Sequence, residues 1–288
     1  MRIQPGTILL ALLAPAVLLS AIPARAVIMD DFESYAPGTF PSPLWSDVGL
    51  VQPDPPLPPI PSAYVISTTD AFGRPTQALS TVSQVASVKG IYTSVPVSTT
   101  YALSADVRVD QYSDNPQYTT SDWPMQLTFG QVGVANFDYT PQAGIYASSL
   151  TRGWRLFLIS SNGGPSADID LSAVAGLGTW YHLDLTLDAT TGAFHSRITD
   201  IATSSLLSDE INTIAGWDQS DAQFDSFAFF GGDLSDDTVG DVGVVDNINV
   251  ATRPVPEPAG AVLLALGLLG FVVGRRRRAH ADPGQISM

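Results

Sequence analysis

Alternation of apolar and polar positions recurs along the middle of the chain. In YALSADVRVD, Tyr101, Leu103, Ala105, Val107 and Val109 point one way, and Ser104, Asp106, Arg108 and Asp110 point the other. That is the period of a half-buried strand. MQLTFG repeats the pattern with Met125, Leu127 and Phe129. RGWRLFLIS, residues 152–160, is a further strand and runs into the turn signal NGG. WYHLDLTLDATTGAFHSRITD reads as a hairpin: Tyr181, Leu183, Leu185 and Leu187 face inward, residues 188–192 turn, and Phe194 to Ile198 return. FDSFAFFGGD and DVGVVDNINV supply the last strands. Helical periodicity is confined to two short stretches, DLSAVAGLG and TSSLLSDEINTI, and Asp168 and Asp170 in SADIDLS read as a turn. Many short strands divided by turn signals predict an all-β sandwich. QPDPPLPPIPS, with six prolines in eleven residues, predicts an extended polyproline-like loop.

The two ends break this pattern. Residues 1–26 carry Arg2, an apolar run from Ile8 to Ile22, and Ala24-Arg25-Ala26, the layout of a signal peptide cleaved before Val27. Ala259 to Gly274 is 16 residues without a polar side chain. As a helix it spans about 24 Å, short of a hydrocarbon core of about 30 Å but able to cross with local thinning. Arg275, Arg276, Arg277 and Arg278 follow, and the positive-inside rule places them in the cytoplasm. The expected organisation is a signal peptide (1–26), a sandwich domain (27–252), a linker (253–258), a transmembrane helix (259–274) and a basic tail (275–288).

Charge and composition narrow the partners. The formal net charge is −15. Setting aside the six arginines at the two ends, together with Glu257 and Asp282, leaves 7 bases against 26 acids, net −19. Nucleic acid needs a basic footprint, so it is not the expected partner. No cysteine is present, which excludes disulfides and thiolate metal sites. The acids are nearly all aspartate, a turn and cap former and a hard oxygen ligand.

Catalytic motifs are missing. Glu33 and Glu210 are isolated, and no Glu-x-Asp-x-(x)-Glu or similar spacing occurs to bring together the two carboxylates that a retaining glycosidase needs. His182 and His195 fall on the two arms of the predicted hairpin and read as solvated strand residues. No serine elbow, phosphate loop or His-Glu-x-x-His occurs. Binding chemistry has better candidates. GGDLSDDTVGD puts Asp233, Asp236, Asp237 and Asp241 in one Gly-bounded loop, a donor set suited to calcium (Ca2+) or simply to a polar hairpin. Asp246 alternates with Val244, Ile248 and Val250, which predicts a partly buried carboxylate in need of a partner. Trp154 and Trp180 read as core. Trp123 and Trp217 sit in what read as polar loops with aspartates nearby, and are the candidate stacking platforms for carbohydrate.

Val255-Pro256-Glu257-Pro258, then a short apolar helix, then an arginine cluster resembles the PEP-CTERM sorting signal, over residues 254–278. The resemblance implies export in a Gram-negative bacterium that makes exopolysaccharide, and transient inner-membrane anchoring. It also implies cleavage by an exosortase, with delivery to the cell surface or matrix. Residues 27–252, from VIMDDFESYAPG through the TWYHLDLTLDATTG hairpin to VVDNINV, resemble a concanavalin A-like, laminin-G-like jelly roll. That fold pairs the first and last strands, which implies that Asp30 and Asp31 lie near Asp246, joined by hydrogen bonds or a structural calcium. The expected function is a non-catalytic exported matrix protein that binds polysaccharide. The alternatives are a purely structural matrix protein and a divergent polysaccharide-degrading enzyme.

Overall fold

The structure, a computed structural model, describes residues 25–47, 63–82, 87–112, 123–131, 142–159, 167–214, 217, 223–233 and 241–254. The chain divides after Arg253 into two units, and the described residues up to Arg253 form the first. It contains fifteen strands among the described residues. They are β1 (Arg25–Asp30), β2 (Ser46–Asp47), β3 (Ala63–Thr69), β4 (Pro75–Val82), β5 (Ser87–Ser94), β6 (Ser98–Gln111), β7 (Trp123–Gly130) and β8 (Gln142–Ala147). After these come β9 (Gly153–Ile159), β10 (Ala167–Val174), β11 (Trp180–Asp188), β12 (Ala193–Asp200), β13 (Ser205–Thr213), β14 (Ser226–Asp233) and β15 (Val242–Pro254).

Two antiparallel sheets form a jelly-roll sandwich. The first runs β13-β12-β11-β6-β15-β4-β3, with β1 also paired to β15, and the second runs β10-β9-β8-β7-β14-β5-β2. Late strands sit between early ones in both sheets: β15 between β6 and β4, and β14 between β7 and β5. This long-range interleaving closes the chain on itself and brings its first and last strands together, as the jelly-roll resemblance implies. β1 pairs from Arg25, opposite Thr252, to Asp30, opposite Ile248. The expected cleavage point before Val27 lies within this strand, and the Ile28–Asp30 pairings follow it.

The core sits where the inner faces of the two sheets meet. β6 contributes Tyr101, Leu103, Ala105, Val107 and Val109, all at most 2% exposed, matching the alternation in the sequence. β11 and β12 contribute Leu183, Leu185, Leu187, Phe194 and Ile198. Tyr101 of the first sheet meets Phe129 of the second at 5.0 Å between ring centroids, and Phe129 meets Phe227 at 5.7 Å. Each fully buried ring of this kind stabilises by about 1.5–3 kcal/mol through area removed from water. Trp154 is buried against Tyr181, edge to face.

Three sequence expectations are corrected here. The two stretches with weak helical periodicity are strands β10 and β13, and no helix occurs among the described residues. Both lie at sheet edges, where pairing to one neighbour outweighs a weak local preference. Asp168 and Asp170 lie within β10 rather than in a turn, and both carboxylates reach Arg155 on β9, at 2.7 and 3.0 Å. The third correction concerns β15. Val245, Ile248 and Val250 face the core, whereas Val244 packs on the outer face with Ala78 and Trp180. Asn247 has φ of 51°, and this bulge shifts the alternation by one residue. Asp246 therefore faces outward with Val244, not inward with Ile248 and Val250.

Candidate functional site

The bulge occurs where β15 changes partner. Val242–Val245 pair with β4, Ile248–Thr252 fall within the β1 register, and Asp246 and Asn247 are left between the two. Asn is among the few non-glycine residues that tolerate a left-handed backbone. Its backbone N–H donates to Asp246 Oδ1 at 2.7 Å, and its side-chain amide donates to Asp106 Oδ2 at 2.8 Å. The bulge thereby aims two carboxylates at the same outer-face spot. Asp246 is only 5% exposed. Its other hydrogen bond is from the Thr76 hydroxyl, at 3.3 Å. Burial, with the nearby charges of Asp106 and Glu33, pushes its carboxyl up to about 7, against the hydrogen bonds from Asn247 and Thr76.

The β3–β4 hairpin supplies the rim. Asp70 Oδ1 accepts from the backbone N–H groups of Phe72 and Arg74, and Oδ2 accepts from the Arg74 side chain at 2.6 Å. Gly73 provides the positive φ of 77° that the turn requires. These bonds fix Phe72 at the tip, 62% exposed, with the Arg74 guanidinium 5.3 Å from its ring centroid. The opposite wall is Trp180, whose indole N–H donates to Thr69 O at 2.9 Å and whose ring carries the Arg108 guanidinium at 4.8 Å. Asp70, Phe72, Arg74, Asp106, Trp180, Ile201, Asp246 and Asn247 line an open cleft of about 100 Å³.

A polar row continues from the cleft across the sheet. His182 lies opposite Asp106 in the β11–β6 register, with Nδ1 2.6 Å from Asp106 Oδ1 and Nε2 3.4 Å from Asp184. The hydrogen bond to Asp106, against partial burial and with the charges of Asp106 and Asp184, raises the imidazole above its usual value. His195 pairs separately with Asp209, at 2.7 Å. The two histidines are offset along the hairpin, His182 opposite Thr199 and His195 opposite Thr186. Each holds its own carboxylate, which the sequence reading did not anticipate.

The remaining candidates are scattered. Asp30 does not join Asp246: Oδ1 accepts from the Phe32 backbone, and Oδ2 accepts from the Tyr35 hydroxyl and, at 2.7 Å, the Trp45 indole. Its paired residue, Ile248, faces the core, so the two aspartates lie on opposite faces of the sheet. Asp31 accepts from the Glu33 backbone. Glu33 is the acid of this segment that reaches the cleft's border. It accepts from the Thr76 hydroxyl and the Gln77 backbone, and these bonds hold it below the usual carboxylate range. The partners of Asp246 are therefore Thr76 and Asn247, not donors of the first strand. Asp241 is buried and accepts the Ser149 hydroxyl at 3.1 Å. Trp217 is half-buried: it covers Gly192, donates its indole N–H to Ala189 O and meets Phe194 edge to face. The backbone of Trp123 starts β7 and that of Asp233 ends β14, but their side chains lie outside the described residues. So do Asp236, Asp237, Val255, Pro256, Glu257, Pro258, Arg275, Arg276, Arg277 and Arg278, the proline-rich residues 52–62 and the apolar segment 259–274. Among the described residues no three His, Asp or Glu side chains are grouped to hold a metal ion, and no helix is long and apolar enough to cross a membrane.

Sequence reasoning missed Phe72, Asp70 and Asp106 as site residues and set His182 aside as a solvated strand residue. The tip had a local signal: DAFGR places an aromatic residue between a turn-forming aspartate and a glycine. The convergence of Asp106, His182 and Asp246 comes from three strands and has no local signal.

No protein-family model matches the sequence, and no curated protein matches it. Solved structures align at low identity. The cellulose-induced protein Cip1 aligns at 14% identity and a TM-score of 0.47, over 79% of this chain and 98% of that one. Lectin II from Ulex europaeus aligns at 9% and 0.46, over 79% and 99%. The carbohydrate-binding module CBM66 from Bacillus subtilis aligns at 11% and 0.39, over 73% and 96%. The sandwich assignment rests on the chain's own strand pairing.

Proposed function

We propose that this protein is an exported, non-catalytic, polysaccharide-binding component of the cell surface or matrix. Exosortase sorting through Val255–Pro258 and a transient anchor at 259–274 deliver it, and the outer-face cleft is its binding site. The observation that carries the reading is the cleft itself, an exposed ring at a braced hairpin tip beside two carboxylates and an amide. Sugar recognition uses such a pairing: a ring face for the apolar side of the pyranose, and carboxylate and amide oxygens for its hydroxyls. The test is affinity electrophoresis of the detergent-solubilised full chain through gels carrying a polysaccharide panel, with calcium and then with EDTA. Retardation by a glycan, reduced by Phe72→Ala, is expected. Loss of retardation in EDTA would make the binding calcium-dependent, with Asp233, Asp236, Asp237 and Asp241 as the proposed donors. Equal mobility in every gel would leave a purely structural matrix role.

One observation favours the degrading-enzyme reading. Asp246, a buried carboxyl pushed up to about 7, opens onto the cleft beside a second carboxyl group, Asp106, and a carboxyl that keeps its proton near neutral pH is what the general acid of glycoside hydrolysis requires. Release of reducing ends from the retained glycan, abolished in Asp246→Asn, would establish it.

A further inference from the structure

The charges lining the cleft are unevenly matched. Asp70 is held by Arg74, with Arg74 N–H groups on both of its oxygens. Asp106 is held by His182 and by the Asn247 amide. Asp246 receives a backbone N–H and a hydroxyl, and no Lys, Arg or His of the described residues forms an ion pair with it. A carboxylate that is 5% exposed and faces further acids is stabilised most by a cation. The nearby guanidiniums are engaged elsewhere, Arg74 with Asp70 and the Phe72 ring, and Arg108 with Asp110 and the Trp180 ring. The cleft is open, and its rim carries Phe72, whose ring suits the apolar face of a sugar and also attracts a cation.

We propose that the cleft selects a protonated amine, and that its ligand is an amino-sugar unit of a polysaccharide, with the ammonium between Asp246 and Asp106 and the ring against Phe72. This inference rests on the polysaccharide-binding reading and names the substrate class of the same site. An ammonium group brings three donors. Asp106 and Asp246 have both accepted donors already, and each carboxylate has acceptor sites left for another. The domain's net negative charge raises the local concentration of a polycationic chain and speeds its encounter, without fixing where it binds. The carboxyl of Asp246, pushed up to about 7 in the free protein, ionises when the ammonium arrives and releases a proton.

The test is calorimetric titration of the full chain in detergent with a β-1,4-linked glucosamine oligomer and with its N-acetylated counterpart, which has the same backbone without the charge. The charged oligomer should bind at least about tenfold more tightly, the value of a charge-assisted hydrogen bond. Asp246→Asn should erase most of that difference, and Asp106→Asn should weaken it. Asp170→Asn, an equal loss of charge on the other sheet, should leave it intact and thereby separates the cleft from general attraction to an acidic surface. Melting temperatures at matched pH confirm that each variant is folded. Equal affinity for the two oligomers, or an equal effect of Asp246→Asn and Asp170→Asn, would overturn the amine specificity. If a neutral glycan is then still retained through Phe72, the polysaccharide-binding reading survives. If no glycan binds at all, both fall.

Discussion

Asp246 is the residue at which pH should act most directly. Its folded carboxyl is raised from an ordinary 3.8 to about 7, so the folded state holds that proton more tightly than the unfolded chain. The resulting stability is fully present below about pH 4 and is lost as pH rises through about 7. We expect Asp246→Asn to flatten this slope and to exceed the wild type at pH 8 by on the order of 2 kcal/mol, well under the full shift because the cleft admits water. Thermal melts across pH 4–9 measure it, and parallel curves for the two proteins would contradict it. Glu210 works in the opposite sense. Its carboxylate accepts from the Ser172 backbone on the other sheet and from the Ser208 hydroxyl, and these bonds hold it below its usual value. That contribution is present above about pH 4.5 and is lost as pH falls through the lower folded value. Glu210→Ala should cost about 1 kcal/mol at neutral pH and less in acid, read from denaturant midpoints. At this scale the sequence was legible for inward positions and poorly legible for polar ones. Tyr101 to Val109 follow from alternation alone, whereas the partners of Asp246 and His182 depend on registers between strands distant in sequence.

At the scale of elements, the bulge in β15 does the positioning. Alternation placed Asp246 on the core side because a period of two cannot reveal one extra residue. The left-handed Asn247 is visible only once the pairings to β4 and β1 are known. Asn247→Gly keeps the backbone conformation and removes only the amide bond to Asp106, so it should weaken glycan retention with little loss of stability. Asn247→Ala adds a backbone cost and should lower stability by about 1 kcal/mol more. Equal denaturant midpoints for the two variants would show that the bulge is not under this constraint. The hairpin of β11 and β12 was legible in its inward-facing residues and in the place of its turn, with Asp188, read as the first turn residue, instead closing β11. Gly192 there has φ of 69° and lies beneath the Trp217 indole. Gly192→Ala should therefore destabilise the fold by about 1–3 kcal/mol through strain and displacement of that ring, read as a lower denaturant midpoint. Trp217 thus closes the hairpin turn, a role its polar flanking sequence hides.

For the whole molecule, the sandwich was legible because strand periodicity, turn signals and the absence of long amphipathic helices agreed. The edge strands β10 and β13 were not, because each has one neighbour and a weaker pattern. The site was the least legible part: the ring at its rim comes from the β3–β4 hairpin, and its carboxylates come from β6 and β15. The central claim is that the outer-face cleft, and not the Trp217 face, holds polysaccharide. The most direct measurement is the retardation of Phe72→Ala beside Trp217→Ala, both checked for folding, in a gel carrying the glycan that retains the wild type. The account predicts that Phe72→Ala is clearly less retarded than the wild type while Trp217→Ala is retarded as fully. Retention of Phe72→Ala with release of Trp217→Ala would contradict it.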